Sequence, residues 1–533
     1  MIDPRQPCLI GAAQRTHRID EGDAPEPLEI WAEMAQSAAR DSGGRGVIDA
    51  IDDVNVVYSI SWAYDDAPGR LAERLGLGEG GRHLSSMSGT SSQKMLGKAA
   101  ARILAGQGDL SLIVGAECLA TRKRMKKRGE QVAWSHPTPE KRMVPLDDPF
   151  HPSELAHEIF QAYLTFSMFD VARRAHLGLS LEENLRQVGE LFAPMTRVAA
   201  ANPHAWFRQE HSADELIGTS PENRMVAHPY TKNLVAIMDV DMASGLLLAS
   251  HEKADALGVP LDRRIYLRGW CEGKDPVYVA ERDELWRSTA MEQASRAAMA
   301  SAGVGIDEIA YLDLYSCFPS SVNFARDALG LADGDGRSLS LTGGLPFHGG
   351  PGSAYVGHSI AALVERLRED PHAYGMTTGV GMHMTNHSFA VYSGEPGALL
   401  PPDEKKVQAE IDGARRRKIR DHATGPARVA AYSVVHGREG RRFATAICDL
   451  PGGDRCYARS ESPDLMSAME SREFVGESVQ LVEGEKGVNR IADFDAGRDG
   501  GRDGGRDAGR DAGLDAGLDA GRDGGLDAGR DGG

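Results

Sequence analysis

The chain contains no run approaching the roughly 20 apolar residues that a membrane-spanning helix needs, which argues against a helical membrane protein. Its first residues, MIDPRQPCLIGAAQRT, lack a basic segment followed by an apolar core, so no secretory signal is read there. Only six cysteines occur in 533 residues (Cys8, Cys118, Cys271, Cys317, Cys448, Cys456), with no CxxC pair and no Cys/His metal spacing. That scarcity predicts a reducing, cytoplasmic setting without a structural zinc or other metal. Positive charge is not in excess either: the formal net charge is −18, which disfavours nucleic acid as a partner. What remains is a composition that is 41% hydrophobic and 26% charged, in a chain long enough for several domains.

The most suggestive stretch is 84–106, LSSMSGTSSQKMLGKAAARILAG. Small polar residues lead into a segment whose apolar side chains (Met95, Ala99, Ile103) recur at helical spacing. The unpaired N–H groups at the start of such a helix attract developing negative charge. Taken alone, the stretch also fits an ordinary capped helix. Asp109–Glu117 (DLSLIVGAE) follows as a buried strand.

Upstream, QPCLIGAAQRT and Asp53–Ser61 read as strands, and Pro27–Ser42 and the segment through Arg70–Leu75 as helices. This pattern then repeats. Val56–Ile60 followed by Leu71–Gly76 is echoed by Asp313–Cys317 followed by Ala325–Gly330. The short strands Gly81–Ser85 and Gly336–Ser340, a Gly/Ser-rich turn, a long helix and a glycine-rich strand then correspond in order, and Arg264–Gly273 mirrors the first strand. Two copies of a βαβαβ-type unit predict an α/β fold of paired layers with parallel strands. We delimit the halves as 1–120 with 241–262, and 263–410.

Residues 121–240 have no counterpart in the second copy; an insertion of this size predicts a lid or subdomain over a site. It begins with Arg122-Lys123-Arg124-Met125-Lys126-Lys127-Arg128, a basic run suited to phosphates or to a solvated or partner-facing surface. Beyond a basic connector (ARRRKIR), residues 421–490 alternate in short strands with hairpin turns and one helix (Pro463–Glu470), which predicts a small OB-like β-barrel. Residues 497–533 repeat Gly-(Arg/Leu)-Asp-(Gly/Ala), a tail with almost nothing to bury and expected to be disordered.

Over residues 5–400 the chain resembles the thiolase superfamily, most closely its sterol-carrier-protein type and the thiolase-like proteins of actinobacteria. The resemblance implies two five-stranded α/β halves, an inserted loop domain that binds coenzyme A, and usually a homodimer. Four thiolase motifs can be laid on the sequence. The Cys-x-Ser-Gly of the nucleophile reads Ser86-Met87-Ser88-Gly89, with serine for cysteine. The motif whose Asn or His builds an oxyanion hole reads Tyr315-Ser316-Cys317-Phe318. The Gly-His-Pro motif reads Phe347-His348-Gly349-Gly350-Pro351, with Gly350 in the histidine's place. In the Cys-x-Gly motif, Gly379 stands for the cysteine and Gly381 keeps the glycine, with His383 and His387 following.

The structural glycines persist while each position that moves an acyl group or a proton is altered. A serine hydroxyl titrates far above a thiol and needs an adjacent base to attack. The resemblance therefore implies a thiolase-like, acyltransferase-related protein of fatty-acid or sterol metabolism without ordinary thiolase activity. It has no permanently bound cofactor; coenzyme A or acyl-CoA is its expected ligand. Candidate pocket residues are Ser86, Tyr315, Cys317, His348 and His383, with Arg122, Lys123, Arg124, Lys126 and Gly381 as candidate CoA contacts. The alternative is a non-catalytic scaffold that docks a partner enzyme of acyl-CoA metabolism.

Overall fold

In a computed structural model, which describes residues 2–139, 145–146 and 148–494, the apolar runs of both halves become strands of one sheet. Among the described residues the strands are β1 (Pro7–Thr16), β2 (Asp53–Val56), β3 (Gly81–Leu84), β4 (Leu110–Cys118), β5 (Met225–Ala227), β6 (Tyr230–Thr231), β7 (Asp241–Ser250), β8 (Ile265–Lys274), β9 (Ile309–Asp313), β10 (Tyr374–Gly381), β11 (Asn386–Ser393), β12 (Gly425–Gly437), β13 (Gly440–Asp449), β14 (Arg455–Ser460), β15 (Ser478–Glu483) and β16 (Asn489–Phe494). Nine of them form a sheet ordered β3-β2-β4-β7-β1-β8-β11-β10-β9. The repeat is visible in that order: β8, β9, β10 and β11 take in the second half the places of β1, β2, β4 and β7. The halves join where β1 meets β8, with Cys8 opposite Tyr266 and Leu9 opposite Ile265.

Two expectations are corrected. The strands are not uniformly parallel: β2 runs parallel to β3 and β4, and β9 to β10, while β1, β7, β8 and β11 pair antiparallel. The expected counterpart of β3 at Gly336–Ser340 does not form a strand, leaving four strands in the second half. The Leu339 carbonyl still accepts from the Leu314 N–H (2.9 Å), and just beyond the segment the buried Asp313 carboxylate accepts from the Leu341 N–H (2.7 Å), the Thr342 N–H (3.0 Å) and the Ser359 hydroxyl (2.7 Å).

β7 lies between β4 and β1, where both faces of a sheet are covered, and its ten residues are all buried. Leu246 and Leu248 point to one core, Leu247 and Ala249 to the other, as the two-residue period of a strand requires. On the first side lie the helices Ser91–Leu104, Thr289–Ala302 and Tyr355–Glu369. Helix Pro27–Asp41 covers the other with Trp31, Met34 and Ala38.

The C-terminal strands close as a five-stranded barrel, β12-β13-β14-β16-β15, in which β14 and β16 meet in parallel at Arg459 and Arg490. β16 was not foreseen in the sequence. The helix expected at Pro463–Glu470 spans Pro463–Ser471. β5 and β6 of the insertion extend the barrel sheet, Ala227 pairing with Val435. Arg174, buried on the insertion helix Ala162–Leu177, donates to the Tyr432 hydroxyl (2.9 Å) and to Glu473 (3.0 Å) of the barrel region. No helix among the described residues is long and apolar enough to cross a membrane. The tail 497–533 lies outside the described residues.

Candidate functional site

The turn 85–90 connects β3 to the helix Ser91–Leu104, and its conformation is set by serines binding the backbone. The Ser85 hydroxyl accepts from the Tyr58 N–H (2.9 Å) and donates to the Ser86 carbonyl (2.8 Å), to which Ser91 also donates (2.8 Å). The Ser88 hydroxyl bonds that of Thr90 at 2.9 Å. From the third motif's segment, Ser353 accepts from the Ser88 N–H (3.2 Å), and its carbonyl accepts from the Ser92 hydroxyl (3.3 Å).

The other motifs converge on the same turn. A Cβ placed on Gly89 would lie 2.1 Å from the Val380 carbonyl oxygen and 2.4 Å from the Tyr315 hydroxyl. One on Gly381 would lie 2.0 Å from the Ser88 hydroxyl, and one on Gly379 would lie 3.2 Å from the Thr90 Cα. The retained Gly89 and Gly381, with Gly379 in the cysteine's place, are therefore what allow three backbone segments to touch. Tyr315 is buried in this contact; its N–H donates to Thr378 at 2.8 Å, and burial pushes its hydroxyl pKa well up.

The remaining sequence candidates take hydrogen-bond partners other than Ser86. Cys317 is buried, its thiol 3.6 Å from the Ser321 hydroxyl, and burial pushes it up to about 12. His348 is buried between Asn202 (3.4 Å) and the ring of His358 (centroids 5.1 Å). Burial, then the neighbouring His204, lowers it to about 3, so it is neutral at pH 7. His383 bonds the Thr165 hydroxyl through Nδ1 (2.8 Å), with Phe150 edge-on at 5.2 Å. Burial and then Arg282 lower it to about 3. Neither histidine is hydrogen-bonded to Ser86. His387 is held by Asp275 at 3.2 Å.

The basic run forms the helix Leu119–Lys127, and acidic neighbours engage much of it. Arg122 donates to the Ile60 carbonyl (3.1 Å), Lys123 pairs with Asp239, and Arg124 pairs with Asp23 and Asp241 (both 3.2 Å). Lys126 is exposed near the helix end.

Two cavities flank the turn. One, of about 330 Å³, is walled by Trp31, Tyr58, Trp62 and Tyr64, with Ser86 and Pro145 at its edge. The other, of about 440 Å³, is polar and carries both signs of charge: Lys94, Lys274 and Lys405 line it together with Glu272 and Glu404, beside Thr90 and His387. Sequence reasoning missed both. It also missed Glu117, buried at the end of β4, whose carboxylate accepts from the Ile60 N–H (2.8 Å), the Ser61 N–H (2.9 Å) and the Ser59 and Ser61 hydroxyls. Burial pushes its pKa up to about 7. A lone acid ending an otherwise apolar strand was the available signal.

No family model matches the chain. A solved structure described as a monomeric SCP2-thiolase-like protein type 1, from Mycobacterium smegmatis, has a TM-score of 0.81 at 31% identity, covering 92% of this chain and 100% of that one. The chain belongs to the thiolase superfamily. Within that superfamily it groups with the SCP2-thiolase-like proteins. Human mitochondrial 3-ketoacyl-CoA thiolase in complex with CoA shares the fold, with a TM-score of 0.50 at 14% identity over 74% of this chain and 99% of that one. Among curated proteins, benzoylsuccinyl-CoA thiolase subunit BbsB of Thauera aromatica is 25% identical over 193 residues, 33% of this chain and 48% of that protein. The chain thus matches about half the length of that relative.

Proposed function

We propose that the chain binds coenzyme A or an acyl-CoA at the turn 85–90 and does not perform cysteine-dependent thiolysis or condensation. One observation carries this reading. The turn that seats the nucleophile in thiolases stands here between an aromatic cavity and a lysine-bearing one, a pairing suited to a ligand with an apolar acyl end and a phosphate-bearing end. The helix Ser91–Leu104 presents its N-terminus at the same turn, which favours a negatively polarised group such as a thioester oxygen.

The chemistry of the side chains supports the second half of the proposal. All six cysteines are buried, and burial pushes Cys8, Cys271 and Cys317 up to about 12, so no thiolate is available at the turn. Among the described residues, no histidine is hydrogen-bonded to Ser86 to take its proton. His348 and His383, kept neutral by burial and hydrogen-bonded to Asn202 and Thr165, would act as structural groups in this scheme. Lys94, Lys274 and Lys405 are the proposed contacts for phosphate because they line the cavity beside the turn, where Lys274 is also paired with Asp148.

Incubation of the purified protein with acetoacetyl-CoA and CoA tests the reading, by following loss of the 3-ketoacyl absorbance alongside retention of CoA on the protein. The reading expects retention without turnover. Turnover that Ser86→Ala abolishes would contradict the non-thiolytic assignment, and absence of both would contradict the CoA assignment.

A further inference from the structure

We propose that the aromatic cavity beside Ser86 takes a planar, ring-bearing acyl group with a carbonyl oxygen; this rests on the acyl-CoA reading and names its acyl class. The walls come from two elements whose rings are held in fixed, tilted poses. Trp31 of helix Pro27–Asp41 meets Tyr64 with ring centroids 5.3 Å apart at 56°. Trp62 stands edge-on to Trp134 (5.7 Å, 70°), and its indole N–H donates to the Ser135 carbonyl at 2.9 Å. Rings held in this way offer edges and faces to a third ring, the geometry aromatic groups prefer. A flexible alkyl chain gains less from such walls and loses more freedom on entering.

The polar groups at the cavity specify the rest. Trp31 is 1% exposed, yet its Nε1–H has no acceptor among the described residues. A buried donor left unpaired is costly, and an acceptor brought by a ligand removes that cost. Its neighbours are already committed. The Tyr64 hydroxyl donates to Glu26 (3.1 Å) and accepts from the Leu28 N–H (3.0 Å). The Ser85 hydroxyl is held by Tyr58 and Ser86 as described, and the Ser59 hydroxyl donates to Glu117 (3.3 Å).

Among the described residues, the indole donor and the Tyr58 and Ser86 hydroxyls thus remain for the ligand, and none of the described lining residues is a lysine, arginine or carboxylate. That set suits a neutral carbonyl oxygen rather than an ion. A volume of about 330 Å³ lies at the small end of ligand pockets and fits a single or fused ring better than a long chain.

Calorimetric titration of the full-length protein with CoA, octanoyl-CoA and benzoyl-CoA tests this. Benzoyl-CoA is expected to bind about tenfold tighter than the other two. Ala63→Trp fills the exposed mouth of the cavity and should erase that advantage while leaving CoA affinity unchanged. Trp31→Phe keeps the ring but removes the donor, and should weaken benzoyl-CoA alone. Equal affinities for all three ligands, or a benzoyl preference that survives Ala63→Trp, overturn the inference and leave CoA binding intact. If none of the three binds, the CoA reading fails; acetophenone, a ring-bearing carbonyl without CoA, then decides the cavity. Binding of acetophenone that Ala63→Trp removes sustains the assignment, and no binding overturns it.

Discussion

Gly89 and Tyr315 are in contact across the two halves of the chain: a single methyl on Gly89 would lie 2.4 Å from the Tyr315 hydroxyl and 2.7 Å from its Cζ. The Val380 carbonyl, only 2.1 Å from the same point, closes the third side. Gly89→Ala should therefore destabilise the fold by about 1–3 kcal/mol or more, as overpacking of a dense interior does. Tyr315→Phe in the same chain should restore little, because the backbone carbonyl remains. Chemical denaturation of the single and double variants checks this, and full rescue by Tyr315→Phe would contradict the packing described.

The barrel's attachment to the insertion rests in part on Arg174, whose charge is buried against Tyr432 and Glu473. Arg174→Met should cost about 1.5–3 kcal/mol, the range for hydrogen bonds to charged groups. The loss should appear as early exposure of the barrel, read by hydrogen exchange in β12. Unchanged exchange there would show that the attachment lies elsewhere.

Much of this architecture was legible in the sequence because the responsible signals are local and periodic. The repeat located β1, β2, β4, β8 and β10, its segment Asp313–Cys317 falls just past β9 (Ile309–Asp313), and hairpin turns gave most of the barrel. What failed was decided by side chains distant in sequence. Gly336–Ser340 has strand composition but forms no strand, and Asp313 fixes the backbone that follows it, at Leu341 and Thr342. The basic run at 122–128 looked available to phosphate until Asp23, Asp239 and Asp241 were brought beside it. Motif spacing located the turn at Ser86–Gly89 and its contacts with Tyr315 and Gly381. It carried no information on the aromatic cavity, whose walls come from Trp31 and the Tyr58–Tyr64 segment.

Burial of titratable groups gives two opposing pH trends. Glu117, raised from its ordinary 4.5 to about 7, keeps its proton in the fold while the unfolded chain loses it. Its contribution therefore falls as pH rises from about 4.5 to about 7, by at most about 3 kcal/mol. His348 and His383, lowered from 6.5 to about 3, act in the reverse sense: below pH 6.5 the unfolded chain gains protons that the fold refuses, so stability falls on acidification. Glu117→Gln should flatten the decline between pH 5 and 7, and His348→Gln should reduce the loss below about pH 6. Denaturant midpoints across pH check both, and identical profiles in variant and parent would refute the assignments.

Because all six thiols are buried, a disulfide-exchange reagent such as dithionitrobenzoate should titrate essentially none in the native protein and all six after denaturation. A thiol that reacts within seconds under native conditions would revive cysteine chemistry at the site.

The central claim is that the turn between the two cavities binds CoA through the lysine-bearing one. Calorimetric titration with CoA of the parent chain and of the double variant Lys94→Glu, Lys405→Glu tests it most directly. The parent should bind, with affinity falling as salt is raised, and the double variant should bind at least about tenfold more weakly. Equal CoA binding by both proteins, or none by the parent, would contradict it.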